Sequence, residues 1–211
     1  MQERVEHPVN WTFPSPRSGF RGAIDRFIGP GATRAELWLQ FAPAFVAALL
    51  APAYALLMGH EWSLLLIMLS AVLAIDLVGG VITNATSAAK RWYHRAGEGT
   101  REHLQFAALH VVHVLLVAWL FRDADWTYFA VISSFLLIAV WLILSVPLYL
   151  QRPVAFALFG AGLLIGTYGF TATPGLEWFL PFFFMKVLVS HLVQEEPYRP
   201  VSELEVEPAA V

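Results

Sequence analysis

The sequence contains no cysteine. Disulfide frameworks, thiolate metal centres and cysteine nucleophiles are thereby excluded, and any bound metal must take His, Asp or Glu ligands. Charge is scarce as well: Asp, Glu, Lys and Arg make up 14% of the 211 residues, against 58% hydrophobic ones, whereas about a quarter of a soluble domain is charged. A soluble domain of this length has too little interior for so much apolar surface. Disorder, collagen and coiled coil are excluded by the same composition. A net charge of −3 gives no electrostatic footprint for nucleic acid, so no nucleic-acid partner is expected. The chain also lacks HExxH, GxSxG, the Walker loop and the Rossmann fingerprint, which removes those routes to zincin, serine-hydrolase and nucleotide chemistry. The HxxxH and HxxHH boxes of membrane desaturases and hydroxylases do not occur either.

What is present is a set of six apolar runs, at about 36–58, 62–89, 102–121, 126–150, 153–171 and 175–194. Each is long enough to cross ~30 Å of hydrocarbon at ~1.5 Å per residue. The predicted fold is therefore all-α, a polytopic integral membrane six-helix bundle. Helix starts are marked by Thr33 with Glu36, a capping box, by Thr100, and by Thr173 followed by Pro174. Gly162 and Gly166 form a GxxxG in the fifth run, a helix-packing motif. The bundle occupies 36–194, preceded by an arm over 1–35 and followed by an acidic, proline-punctuated flexible tail over 195–211. The arm has no apolar stretch suited to a secretory signal, but Phe20, Ile24, Phe27 and Ile28 recur at helical spacing among Arg17, Arg21 and Arg26, as in a short helix lying among lipid headgroups.

Cations in short loops stay cytoplasmic. Arg4, Arg17, Arg21, Arg26 and Arg34 in the arm, Lys90, Arg91, Arg95 and Arg101 between the second and third runs, and Arg152 and Arg199 all fall on one side, with Arg122 alone opposite. Both termini are expected in the cytoplasm, and the protein in a bacterial cytoplasmic (inner) membrane. Lys186 is left over, inside the sixth run.

Polar residues inside these runs are the functional candidates, because a lipid-facing polar group is costly. Along the second run, Asp76, Gly80, Thr83, Asn84, Ser87, Lys90 or Arg91, and His94 recur at steps of three and four and line one face. Asp76 and Lys186 sit at depths of ~21 and ~15 Å from the cytoplasmic ends by residue counting, close enough to pair across two helices. His103, His110 and His113 share one face of the third run, and His191 precedes Glu195 by one turn. The cytoplasmic half thus collects imidazoles and a carboxylate, a donor set that suits zinc or iron. On this basis His110, His191 and Glu195 are the expected metal ligands, with His113, His103 and His94 for the remaining positions. Asp76, Asn84 and Lys186 would support the chemistry.

The leading expectation is a metal-dependent enzyme acting on a small, apolar, lipid-like substrate that arrives from the membrane lipids. Three alternatives use the same residues. His110 or His113 with His191 would serve as axial pair for haem b in an electron-transfer subunit. Asp76 would take up the proton in a proton-coupled transporter. In a non-catalytic membrane subunit, all the polar groups would serve helix packing.

Overall fold

A computed structural model describes residues 9–199; residues 1–8 of the arm and 200–211 of the acidic tail lie outside the described residues. The order of elements is α1 (Gly19–Ile28), α2 (Arg34–Leu57), α3 (Leu64–Ala85), α4 (Ser87–Tyr93), α5 (Thr100–Leu120), α6 (Trp126–Ser145), α7 (Leu148–Gly169) and α8 (Phe179–Phe184), which continues as a π-helical segment, Met185–His191. Among the described residues the only strand-like contact is an isolated antiparallel bridge, Val9 to Tyr198. Five helices, α2, α3, α5, α6 and α7, are long and apolar enough to cross a membrane; Phe179–His191 is apolar but shorter. The chain is thus an all-helical protein with the elements of a membrane helical bundle.

Local chemistry sets these boundaries. At α2 the capping box forms as expected: Thr33 Oγ1 accepts from the Glu36 amide, and the Glu36 carboxylate accepts from the Thr33 amide. Thr100 is the first helical residue of α5 rather than its cap, since Gly99 takes the cap position and its amide donates to Glu102. The second apolar run does not continue to 89. It breaks at Thr86, whose extended backbone caps α4 by accepting from the Ala89 amide while its hydroxyl donates to Thr83 O. The expected junction at 151–152 also shifts. Pro147 disfavours helical backbone at Val146, so α6 stops at Ser145 and Arg152 lies within α7.

The sixth run departs most from expectation. Thr173 and Pro174 do not start a helix, because Gly175 adopts φ +81° with its Cα against Trp62; a Cβ there would come within 2.6 Å of that ring. Helix α8 begins only at Phe179. It packs against α3 and α7, and its π-helical continuation against α3, α6 and α7, with Phe183, Phe184, Val187 and Leu188 fully buried. Gly162 lets the Phe135 and Phe184 rings approach α7, and Gly166 does the same for Leu180, so both glycines of the GxxxG serve helix packing.

The ends of the helices sort into two groups. At one end the α2–α3 connection meets the 171–178 segment through His60, Trp62 and Gly175, and Arg122 donates to Thr171 O and Thr173 Oγ1. At the other, Glu36 accepts from the Ala88 amide and from Arg199, Arg152 pairs with Glu195, and Val9 meets Tyr198. The chain has no native cysteine, so single cysteines can report this arrangement. In sealed vesicles of uniform orientation, Ala96→Cys and Ser15→Cys should react with an impermeant maleimide from one side, and Glu61→Cys only from the other. Labelling of positions 61 and 96 from the same side would contradict the antiparallel path of α2 and α3.

Candidate functional site

Two polar clusters lie along the inside of the bundle. The deeper one is built on α3, α5 and the π-helical segment. Asp76 Oδ2 accepts from Lys186 Nζ at 2.5 Å and from His113 Nε2 at 2.9 Å. The expected pair between the second and sixth runs is therefore formed, with His113 as an additional partner that residue counting did not supply. Lys186 reaches the carboxylate by lying across Gly80, where a Cβ would stand 2.4 Å from its Cε. Helices α3 and α5 hardly touch through their backbones, so this carboxylate–imidazole contact bridges them. Asp76 keeps 33% of its side chain exposed, which leaves the carboxylate open on the bundle's flank.

His110 stacks on His113 with ring centroids 5.0 Å apart and planes 9° from parallel. Its Nδ1 donates to Phe106 O at 2.7 Å, which leaves Nε2 with the lone pair. His113 donates through Nε2, and in its neutral form Nδ1 carries the lone pair. Both of these nitrogens are buried and without a hydrogen-bond partner.

The second cluster lies at the cation-rich end and joins His94, His103 and His191. His103 Nδ1 and His191 Nε2 share a hydrogen bond of 3.1 Å, and His94 Nε2 donates to His191 O at 3.0 Å. Tyr93 meets the His191 ring edge-on at 5.4 Å, and Lys90 Nζ donates to Ser190 O and Val193 O. Burial, reinforced by Lys90 and His103, holds the His94 imidazole down to about 3. Burial also lowers the Lys90 ammonium to about 8, partly opposed by Glu195. The π winding explains why Lys186 and His191 both face inward. Five residues span one turn and a fraction when bonds run i to i+5, with about 4.4 residues per turn, instead of the wide offset a 3.6-residue turn would impose.

Phe106 separates the clusters. Its ring stacks on His191 at 3.6 Å and meets the His110 ring at 4.2 Å with the planes tilted by 37°. The expected ligand trio of His110, His191 and Glu195 is consequently not brought together: a phenyl ring stands between the two imidazoles, and Glu195 pairs with Arg152 at 2.9 Å. Among the described residues no group of three or more His, Asp or Glu side chains is disposed to hold a metal ion. Asn84 is buried near the end of α3, at the level of Gln40 on α2 by the register that sets Glu36 against Ala88 and Ala44 against Gly79. Gln40 went unnoticed in the sequence, although a glutamine in an apolar run is itself a signal; both of its amide atoms are buried and unpartnered. Phe106 carried no signal at all, being one of 16 phenylalanines.

No family model, no curated protein and no solved structure matches this chain. The class that fold and site define is an all-helical bundle, five of whose helices are long and apolar enough to cross a membrane, with an internal Asp–Lys–His triad.

Two outcomes follow from this geometry. Asp76→Asn leaves the Lys186 ammonium without its carboxylate and should destabilise by roughly 3 to 5 kcal/mol; in Lys186→Met the carboxylate keeps its hydrogen bond from His113 Nε2 and the loss is smaller. The double variant should recover most of the Asp76→Asn loss in detergent melts, whereas simple additivity would show that the pair is not coupled. At the cation-rich end, an unfolded His94 takes up a proton near pH 6.5 but the folded one only near about 3. The unfolded state binds more protons in that window, so stability should fall as pH drops below 6.5, by on the order of 1 kcal/mol at pH 5.5. His94→Gln should remove that share of the acid sensitivity; an unchanged pH profile would assign it elsewhere.

Proposed function

We propose that the protein is a proton-coupled carrier of the bacterial cytoplasmic membrane, with its cation-rich end in the cytoplasm and the Asp76–His113–Lys186 triad as the proton-loading group. The observation that carries this reading is the Asp76 carboxylate held by both Lys186 Nζ and His113 Nε2 deep in the bundle, with His110 stacked on His113. Ionisable side chains at this depth are expensive, and a row of them is what a proton path requires. The unpartnered nitrogens His110 Nε2 and His113 Nδ1 are the acceptors along it.

Proton loading involves few atoms. A proton first taken up at His110 Nε2 and then released to His113 Nδ1 makes His113 an imidazolium whose Nε2–H stays on Asp76. The triad, neutral overall with Asp76 ionised and Lys186 charged, then carries one positive charge in a low-dielectric interior. That charge is relieved when Lys186 leaves the carboxylate, for which Gly80 provides a smooth track, or when an anion accompanies the proton. The half-open Asp76 carboxylate is the exit from the triad.

The test is proton flux into proteoliposomes under a valinomycin-imposed potassium potential, together with an infrared pH titration of the carboxylate and imidazole bands. Wild-type vesicles should acidify faster than empty ones. Asp76→Asn and His110→Phe should each reduce the difference at least about tenfold, as expected when a single relay group is lost. Flux equal to empty vesicles, with no Asp or His band titrating between pH 5 and 8, would overturn the reading. Stoichiometric zinc or iron in the purified protein, lost in His103→Ala and His191→Ala, would replace it with metal chemistry.

A further inference from the structure

The arm carries a surface that the proton reading does not use. Helix α1 buries Gly22, Asp25 and Ile28. Its attachment is firm: Gly29, at φ +90°, lies so close to α4 that a Cβ would come within 2.3 Å of the Ala88 carbonyl, and Tyr93 Oη donates to Phe27 O at 2.9 Å and to Arg26 O at 3.3 Å. The one acidic residue of α1 is already committed, since Asp25 accepts from the Arg17 amide, Nε and Nη2.

The outward face has a different composition. Phe20 and Phe27 are 81% and 57% exposed, and at about 100° per residue they fall within roughly 20° of each other, with Ala23 and Ile24 between them. Arg21 and Arg26, both exposed, project on opposite sides of this ridge at about +100° and −120°. Two phenyl rings flanked by two guanidiniums, with no free carboxylate on the helix, complement an apolar layer overlaid by anionic phosphates. The level along the bundle agrees. Glu36 and Ala88 tie the start of α2 to α4, and one turn or less further along, Trp38 is 75% exposed, as a residue at the edge of the hydrocarbon would be.

We propose that α1 is a docking surface for the anionic phospholipid headgroups of the membrane in which the bundle sits. Its occupancy sets the position of Tyr93 against His191. The proposal rests on the chain lying in a bilayer and not on proton handling, so the two can fail separately. The ligand is a lipid surface: phenyl rings enter the acyl boundary while Arg21 and Arg26 bind phosphate oxygens. Because the same helix holds the Tyr93 hydroxyl through Arg26 O and Phe27 O, its seating is transmitted directly to the imidazole cluster.

The experiment uses the full chain carrying the single substitution Phe20→Cys, labelled with a bimane probe and reconstituted into phosphatidylcholine vesicles or into vesicles with 30% phosphatidylglycerol. Brominated acyl chains should quench the probe at least about twofold more in the anionic vesicles, because each basic residue gains from the negative surface. Adding Arg21→Gln and Arg26→Gln should abolish that difference while leaving the melting temperature within a few degrees. A label at Trp38→Cys, quenched equally in both lipids, serves as the depth reference. Equal quenching of the position-20 probe in the two lipids, or quenching by aqueous iodide alone, would overturn the proposal. A Phe20→Cys disulfide between two chains would overturn it too, by assigning the face to a second copy. Inorganic phosphate at millimolar concentration, added to phosphatidylcholine vesicles, should not change the probe; a response there would assign the arginines to a free anion instead.

Discussion

The placement of one ammonium group constrains much of the bundle. Lys186 lies buried in the π-helical segment, and an isolated charge there would cost several kcal/mol. Its neutralisation requires a carboxylate on α3, and Asp76 supplies it. It also requires an open lane on α3, and Gly80 supplies that, since any Cβ would collide with the lysine stem. Gly79, next to it, does the same service for Ala44 of α2. The pair of glycines therefore lets α3 be approached from two sides, by α2 and by the π-helical segment, at the level of its one charge. Helix α5 is then joined to α3 by His113 in addition to the apolar core that both helices share. Removing the lysine would thus affect not one contact but the reason for several.

A second set of interactions fixes the cation-rich end. The carboxylate of Glu36 caps its own helix, receives the Ala88 amide and pairs with Arg199, so that α2, α4 and the segment after the π helix meet at one residue. Lys90 closes the same plate from the other side by donating to Ser190 O and Val193 O, carbonyls of the final turns. These are charge-assisted bonds inside a half-dry layer, where they are stronger than at an open surface. They also hold α4 in place, and with it Tyr93 and His94. The His94 imidazole is thereby kept beside a buried cation, which favours its uncharged form.

Much of this was legible in the sequence, for reasons that can be stated residue by residue. The long apolar runs, the Thr33–Glu36 capping box and the Asp76–Lys186 pair rest on length, local hydrogen bonding and the cost of burying charge, which hardly depend on tertiary detail. The α1 pattern was equally visible, because a period of three to four among Phe20, Ile24 and Phe27 is a local property. What was not legible depends on backbone irregularity. The break at Thr86 is a competition between a hydroxyl cap and a continuing helix, and apolar composition is silent on its outcome. The π winding of Met185–His191 leaves no compositional mark, yet it decides that Lys186 and His191 face the same interior. Metal ligation was inferred from helical spacing, depth and donor type, none of which says which ring nitrogens converge.

The position of Phe106 shows how these irregularities matter for function. Had the sixth run been an ordinary α-helix, His191 would have turned away from α5, and the histidines of α5 would have faced Lys186 without a second imidazole cluster above them. With the π turn, His191 comes into stacking contact with Phe106, and that ring in turn covers His110. A phenyl group neither donates nor accepts a proton, so it isolates the two polar clusters while leaving them only one ring apart. Asp76 and the cation-rich end are therefore separated by a single aromatic side chain.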